Sequence, residues 1–388
     1  MRELIGTSST VAQLARLRKD WSPEQIGVVT ELAMAREKAH KKFPDRSERI
    51  VADREGVEMA SSAQSAAHKA ARFAQVLPKG APILDACCGI GGDSIALAGD
   101  SLEVTAVDLD KRRSWMAGLN ASCRAVTSDI REFETEELAV HIDPARRTGG
   151  NRTRTLDEFE PPFDHITTLA SNAAIAAIKL NPGVHADLLP TGELEIISES
   201  GSLTQAVLWM GQGTTHGRRA TLLAADGSAR SISGHPDRTY DNNPISDWIH
   251  TMDPSLERAN LVPEFLSGTQ LRPIHPGTGL LTANEPSTSP WTTPYRVISE
   301  FAWNPRVAKS ALRDLDAGVV TVKTRASAVN PDKVSRQLRG TGKKGFVLFV
   351  LPIADRLRAI ITELPNVSTH KTPPDAHGTS GGAWMAEP

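Results

Sequence analysis

The sequence predicts an α/β protein with a mostly parallel, helix-covered sheet at its centre, and three observations predict it. From residue 82 onward, short β-type runs (PILDAC, EVTAVD, AVHID, IAAIKL, ELEIIS, RATLLA) alternate with helical segments, the pattern of parallel strands joined by crossover helices. A glycine-rich turn, Gly89-Ile90-Gly91-Gly92, falls between the first run and the helical segment SIALA. Acidic residues end several successive runs, at the edge where open parallel sheets bind ligands.

The remaining segments divide by texture. Residues 9–77 are rich in Ala, Glu, Lys and Arg, with Val11, Leu14, Ala15 and Leu17 at helical spacing, so residues 1–78 are expected to form a helical region. Residues 79–235 carry the alternating pattern. Residues 231–294 are dense in Pro, Gly, Asn and Thr around one helical piece near 254–265, which suggests a connector over 236–294. A second, small α/β unit is expected over 295–364, with strands near 295–301, 319–323 and 346–351 and helices near 307–315 and 331–338. Residues 365–388 have the composition of a disordered tail.

Composition narrows the class. The chain has 388 residues, 39% of them hydrophobic, enough for more than one core. Its formal net charge is −2, from 44 Lys plus Arg against 46 Asp plus Glu, so any contact with a polyanion must come from a local patch. The cysteines, Cys87, Cys88 and Cys123, lack zinc-ligand spacing and suit a reducing compartment better than a disulfide framework. The first residues lack the apolar core of a signal peptide, and no run of about 20 apolar residues could span a bilayer. A soluble cytoplasmic protein, with neither metal nor membrane partner, is the expectation.

The sharpest motif is Asp85-Ala86-Cys87-Cys88-Gly89-Ile90-Gly91-Gly92-Asp93. Its glycines permit a tight turn across which a ligand can lie. A nicotinamide-type loop would continue with Gly or Ala at position 94, where this chain has Ser94. The acid Asp85, four residues before the first glycine, suits a ligand bearing an ammonium group better than one bearing a pyrophosphate. S-adenosylmethionine bears one. Asp108 ends the next run, where a carboxylate can accept both hydroxyls of a ribose. Asp129 ends the third, placed to accept from an adenine amino group while the Ile130 amide donates to the ring. AVHID then ends at Asp143-Pro144. Cys87 and Cys88, inside the turn, read as small packing residues and not as nucleophiles.

This order of motifs over residues 83–147 resembles the class I S-adenosylmethionine-dependent methyltransferases, and the wording DACCGIGGD is similar to the loop of trimethylguanosine synthase-like RNA guanine-N2 methyltransferases. The resemblance implies a Rossmann-like, mostly parallel sheet of seven strands. It also implies cofactor binding by Asp85, Cys87, Gly89, Gly91, Gly92 and Asp93, by Asp108 with Leu109, and by Asp129 with Ile130. Asp143 and Pro144 take the catalytic, target-facing place. Amino-group methyltransferases usually read Asn or Asp, Pro, Pro, aromatic there; this chain has Asp143-Pro144-Ala145-Arg146-Arg147. An arginine can stack on a base or pair with phosphate, and Arg152, Arg154 and Phe159 follow.

With KAHKKFPDRSERIVADREGVEMASSAQSAAHKAARF, DPARR and GVVTVKTRASAVNPDKVSRQLRGTGKKGFVLFV, the chain looks similar to bacterial class I methyltransferases with a C-terminal THUMP-like domain. That similarity implies RNA only by analogy. Charge supports it independently: residues 319–345 hold Lys323, Arg325, Lys333, Arg336, Arg339, Lys343 and Lys344 against the single acid Asp332, the footprint of a phosphate-backbone contact. Arg146, Arg147 and Arg154 are further candidates for substrate binding. The leading expectation is an RNA methyltransferase acting by direct in-line transfer, on a base amino group. The alternatives are a small-molecule or protein methyltransferase, and a cofactor-binding, RNA-binding protein without turnover.

Overall fold

A computed structural model describes residues 18–146, 156, 159–236, 241–275, 278–354 and 356–365. Val11, Leu14, Ala15 and Leu17, and nearly all of the expected tail, lie outside the described residues. The chain divides into two compact units, residues 1–239 with 253–267 and residues 240–252 with 268–388.

The first unit opens with three helices, α1 (Pro23–Ala39), α2 (Arg54–Met59) and α3 (Ala63–Val76). Each starts at a residue able to cap free backbone N–H groups. Ser22 and Gln25 form a reciprocal capping box around Pro23 at the start of α1, Asp53 caps α2 and Ser62 caps α3. The sheet follows: β1 (Pro82–Ala86), α4 (Gly92–Gly99), β2 (Glu103–Asp108), α5 (Lys111–Ala121), β3 (Arg124–Thr127), β4 (Ala139–Ile142), the paired two-residue strands β5 (Ala145–Arg146) and β6 (Phe159–Glu160), α6 (Phe163–Asn172), β7 (Ile175–Leu180), β8 (Glu193–Glu199), β9 (Ser202–Gly211), β10 (Arg218–Leu223) and β11 (Ala229–Gly234).

The main sheet has nine strands in the order β11-β10-β8-β9-β7-β4-β1-β2-β3, two more than the seven expected. Strands β3, β2, β1, β4 and β7 pair in parallel, and β9 runs antiparallel between β7 and β8. β10 and β11 extend the edge beyond β8. The strand order reverses between β1 and β4, the switch point at whose carboxyl edge open sheets leave a crevice.

Two packing features fix what surrounds that crevice. Ala35, Ala39, Phe43, Ile50 and Val57 of the N-terminal segment cluster with Ile90 of the glycine turn and Met116 of α5, so the helical region packs onto the loop itself. Helix α3 is tied to the sheet by a buried polar network. Glu195, fully buried in β8, pairs with His68 at 2.7 Å and Arg72 at 2.6 Å and accepts from Trp209 Nε1 at 2.8 Å. Glu193 pairs with Arg72 and Arg219, both at 2.8 Å. The Arg72 guanidinium lies 4.1 Å from the centroid of the Trp209 ring. Burial alone would raise the Glu195 carboxyl, but His68 and Arg72 hold it well below the usual carboxylate range.

Residues 236–294, which suggest a connector, contain elements of both units: β12 (Trp248–Met252), β13 (Arg272–Pro273) and β14 (Leu280–Ala283) in the second, α7 (Pro254–Ala259) and α8 (Val262–Leu266) in the first. The helical piece expected near 254–265 is present as α7 and α8, whereas the strands are too short to show a period in a stretch rich in Pro and Gly. The second unit continues with β15 (Thr292–Ala302), α9 (Pro305–Asp314), β16 (Ala317–Thr324), α10 (Pro331–Leu338), β17 (Lys344–Ile353) and β18 (Arg356–Glu363). Its seven-stranded sheet runs β13-β14-β12-β15-β18-β17-β16, antiparallel except for β16 with β17. The apolar run of β17 serves two cores. Phe346, Leu348 and Val350 pack with α9 and α10, while Val347, Phe349 and Leu351 pack with Ile249, Leu280 and Tyr295 on the opposite face.

Candidate cofactor cleft and basic surface

The carboxyl ends of β1 to β4 open onto a cleft of about 490 Å³ in the first unit, within the usual size of small-molecule sites. Of the residues singled out from the sequence, Cys87, Gly89, Gly92, Asp93, Asp108, Leu109, Asp129, Ile130, Asp143 and Pro144 line it. Asp85 and Gly91 do not line it.

The glycine turn shows why each position takes its residue. Gly89 has φ +55°, and a Cβ there would project into open space, so its lack of a side chain leaves the cradle clear. Gly91 has φ +81° and a Cβ would lie 2.8 Å from the Ala117 Cα, so here the constraint is packing against α5. Cys87 is held at φ +56°. Its thiol is pushed up to about 12, first by burial and then by the carboxylates of Asp108, Asp143 and Asp85, which keeps it a thiol. Burial likewise raises Cys88.

Asp108 braces this turn. Its Oδ2 accepts from the Gly89 amide and its Oδ1 from the Asp110 amide, both at 2.9 Å. Burial raises the carboxyl above its ordinary range despite these bonds. Asp129 accepts from the Arg131 amide at 2.9 Å and is clasped by its guanidinium, which holds the carboxyl down to about 2. Asp143, placed by its amide on Ala86 O at 3.1 Å, pairs through Oδ2 with Lys179 Nζ at 2.6 Å.

Sequence reasoning passed over the wall opposite. Glu55, Gly56, Met59 and Ala60 line the cleft from the helical region, with Arg113 from α5, Glu160 at the end of β6 and Pro161 after it. Asp53 clamps this wall: it pairs with Arg113 at 2.7 Å and with Arg112, and it caps Gly56 N at 2.7 Å. A Cβ on Gly56 would lie 2.2 Å from Arg113 Nη1 and 2.3 Å from Ile90 Cγ2, which explains the glycine. Lys42 donates to Glu58 O at 2.5 Å and Ala60 O at 2.6 Å, and burial with nearby Lys179 lowers it to about 8. The signals available were the motif VADREGVEMASS and a lone lysine, Lys179, in an apolar strand.

The second unit carries the basic segment. Lys333, Arg336, Arg339, Lys343 and Lys344 are exposed, on α10, at its C-terminal end and at the start of β17. Lys323 and Arg325 are turned partly inward: Lys323 lies 5.2 Å over the Tyr295 ring, and Arg325 Nε donates to Thr278 O at 2.8 Å. Arg146 contributes backbone to β5, while Arg147, Arg152 and Arg154 lie outside the described residues.

The residues present fit S-adenosylmethionine: an unobstructed glycine cradle, a carboxylate at the end of β2 for a ribose, an acid and an amide after β3 for an adenine, and the acids Asp93 and Asp143 in the lining for a cationic end. A doubly wound sheet with this site defines a methyltransferase unit of the S-adenosylmethionine-dependent class. Comparison with known proteins agrees. Residues 292–364 match the THUMP domain-like family. Uncharacterized S-adenosylmethionine-dependent methyltransferases of Mycobacterium tuberculosis, from strains H37Rv and CDC 1551, are each 27% identical over 310 residues, spanning 77% of this chain and 84% of theirs. A crystal structure from Porphyromonas gingivalis W83, of a protein assigned as a methyltransferase, superposes with a TM-score of 0.71 over 88% of this chain and 91% of that one, at 17% identity. The chain is thus similar over most of its length to S-adenosylmethionine-dependent methyltransferases, and it carries a THUMP-like domain at residues 292–364.

Proposed function

We propose that this protein transfers the methyl group of S-adenosylmethionine to RNA, at a base amino group, by direct in-line displacement. The carrying observation is the exposed basic surface on the THUMP-like unit of an otherwise balanced chain: five exposed cations against Asp332. When bound, S-adenosylmethionine supplies an electrophilic methyl group. The chain's own task is then mostly positioning. Gly89 and Gly92 line the cradle for the cofactor, Asp108 would hold its ribose and Asp129 with Ile130 its adenine. Asp143, fixed from one side by Lys179, would accept from the target amine and aim its lone pair, and Pro144 stiffens the chain beside it.

The test is RNA affinity as a function of salt. Phosphate contacts release counterions, so affinity should fall steeply, with a slope of about 0.7 per neutralised phosphate on single strands. Replacing Arg336, Arg339, Lys343 and Lys344 with Ala should weaken binding and flatten the slope while cofactor affinity stays unchanged. Equal affinity and slope in parent and variant would refute RNA docking on this surface and move attention to Lys38, Lys41, Lys42 and Arg46.

A further inference from the structure

Four ionisable side chains lie buried beneath the glycine turn, none more than 6% exposed: Lys69 of α3, Asp85 of β1, Asp93 of α4 and His141 of β4. Lys69 Nζ is 2.7 Å from Asp93 Oδ1, 3.2 Å from Ser61 Oγ and 3.1 Å from His141 Nε2. An ammonium has three donors and no acceptor, so His141 Nε2 accepts. The imidazole proton therefore sits on Nδ1, which donates to Asp85 Oδ1 at 2.8 Å. Asp85 Oδ2 accepts from Ser94 Oγ. Asp85, the acid whose sequence position suggests a ligand contact, is thus engaged on both oxygens inside the core.

Asp93 differs. It lines the cleft. Its Oδ2 accepts from Ser61 Oγ at 2.9 Å, and Oδ1 lies 2.7 Å from the Lys69 ammonium. Burial alone would raise its carboxyl, but Lys69 above all brings it well below the ordinary range. Lys179 is itself paired with Asp143 and adds no net charge. Two carboxylates and one ammonium around a neutral imidazole leave one negative charge, and charge buried without compensation is costly. A cation arriving in the cleft relieves that cost.

We propose that Asp93 is the carboxylate that receives the ammonium group of the cofactor's methionine moiety, that Lys69 is a positioning residue keeping it fixed and ionised, and that Asp85 braces the loop. This rests on S-adenosylmethionine being the cofactor. Calorimetry on the full chain separates the roles with three probes: S-adenosylmethionine, S-adenosylhomocysteine, which keeps the ammonium but not the sulfonium, and 5′-methylthioadenosine, which lacks the amino-acid end. Asp93→Asn should weaken the first two alike, by about tenfold or more, and leave the third unchanged. Asp85→Asn should lower the melting temperature while preserving the affinity ratio of S-adenosylmethionine to methylthioadenosine.

Lys69→Met supplies a second readout. That ratio should hold level from about pH 7 to about pH 5 in the parent and decline with pH in the variant, because unopposed burial raises the Asp93 carboxyl. A ratio that Asp93→Asn leaves intact, one that Asp85→Asn abolishes in a folded protein, or a level profile in Lys69→Met would each overturn the proposal. A parent that binds methylthioadenosine but not the other two would overturn it as well, and a parent that binds none would overturn the cofactor assignment itself.

Discussion

Removing the Asp108 carboxylate should loosen the cofactor cleft without unfolding the sheet. The side chain accepts from two backbone amides, Gly89 and Asp110, each at 2.9 Å, and in the proposed function it would also hold the ribose diol. A hydrogen bond to a charged group contributes about 1.5–3 kcal/mol. If Asp108→Ala costs the bound state one such bond beyond what the free protein loses, cofactor affinity falls about ten- to 150-fold. Calorimetry with S-adenosylmethionine measures this, with a melting curve to establish that the variant is folded. The carboxyl is raised, chiefly by burial, so affinity in the parent should decline on the acid side starting above the ordinary aspartate range, and Asp108→Asn should abolish that decline. A folded Asp108→Ala with affinity within about twofold of the parent would refute the reasoning, because the bonds named would then contribute nothing to the bound state.

Further perturbations separate stability from binding and turnover. Gly91→Ala should destabilise by about 2–5 kcal/mol, the sum of left-handed strain and overpacking against Ala117, whereas Gly89→Ala should cost the strain alone and lose cofactor affinity; melting and calorimetry on both distinguish them. Arg72→Met removes one of the two ionic partners of each buried carboxylate, leaving Glu193 with Arg219 and Glu195 with His68, and should cost up to about 3–5 kcal/mol by denaturant unfolding. Glu195 and Asp93 are both held below the ordinary carboxylate range, so the stability they contribute is complete above that range and is lost as pH falls beneath it; acid unfolding that begins near neutrality would contradict this. Asp143→Asn should leave cofactor affinity nearly intact and reduce turnover strongly, and the reverse pattern in steady-state kinetics would remove Asp143 from its target-facing role.

How far the sequence reveals the structure depends on whether the signal is local. The apolar run 346–351 has to be a strand buried on both faces, and the strand ends at Asp108, Asp129 and Asp143 do converge on one cleft. Strands β9, β12, β14 and β18 escaped notice: WIHTM and LLTA are too short to show alternation, and RLRAIITE begins and ends in charge. The hidden part of the site is non-local. Asp85 stands where a ligand-binding acid would, but its two oxygens are engaged in the core by Ser94, nine residues on, and by His141 from β4, 56 residues on. The wall at residues 55–60 is set by Asp53 meeting α5, and no spacing within residues 53–60 announces that. Ser94, which broke the dinucleotide pattern, proved to be a partner for Asp85.

The most direct test of the whole account is transfer of a labelled methyl group from S-adenosylmethionine by the purified chain to separated fractions of cellular RNA, protein and small molecules. The account predicts label in RNA, recovered after digestion as a nucleoside methylated on a base amino group and lost with Asp143→Asn. Label confined to protein or small molecules, or no transfer by a chain that binds the cofactor, would contradict it.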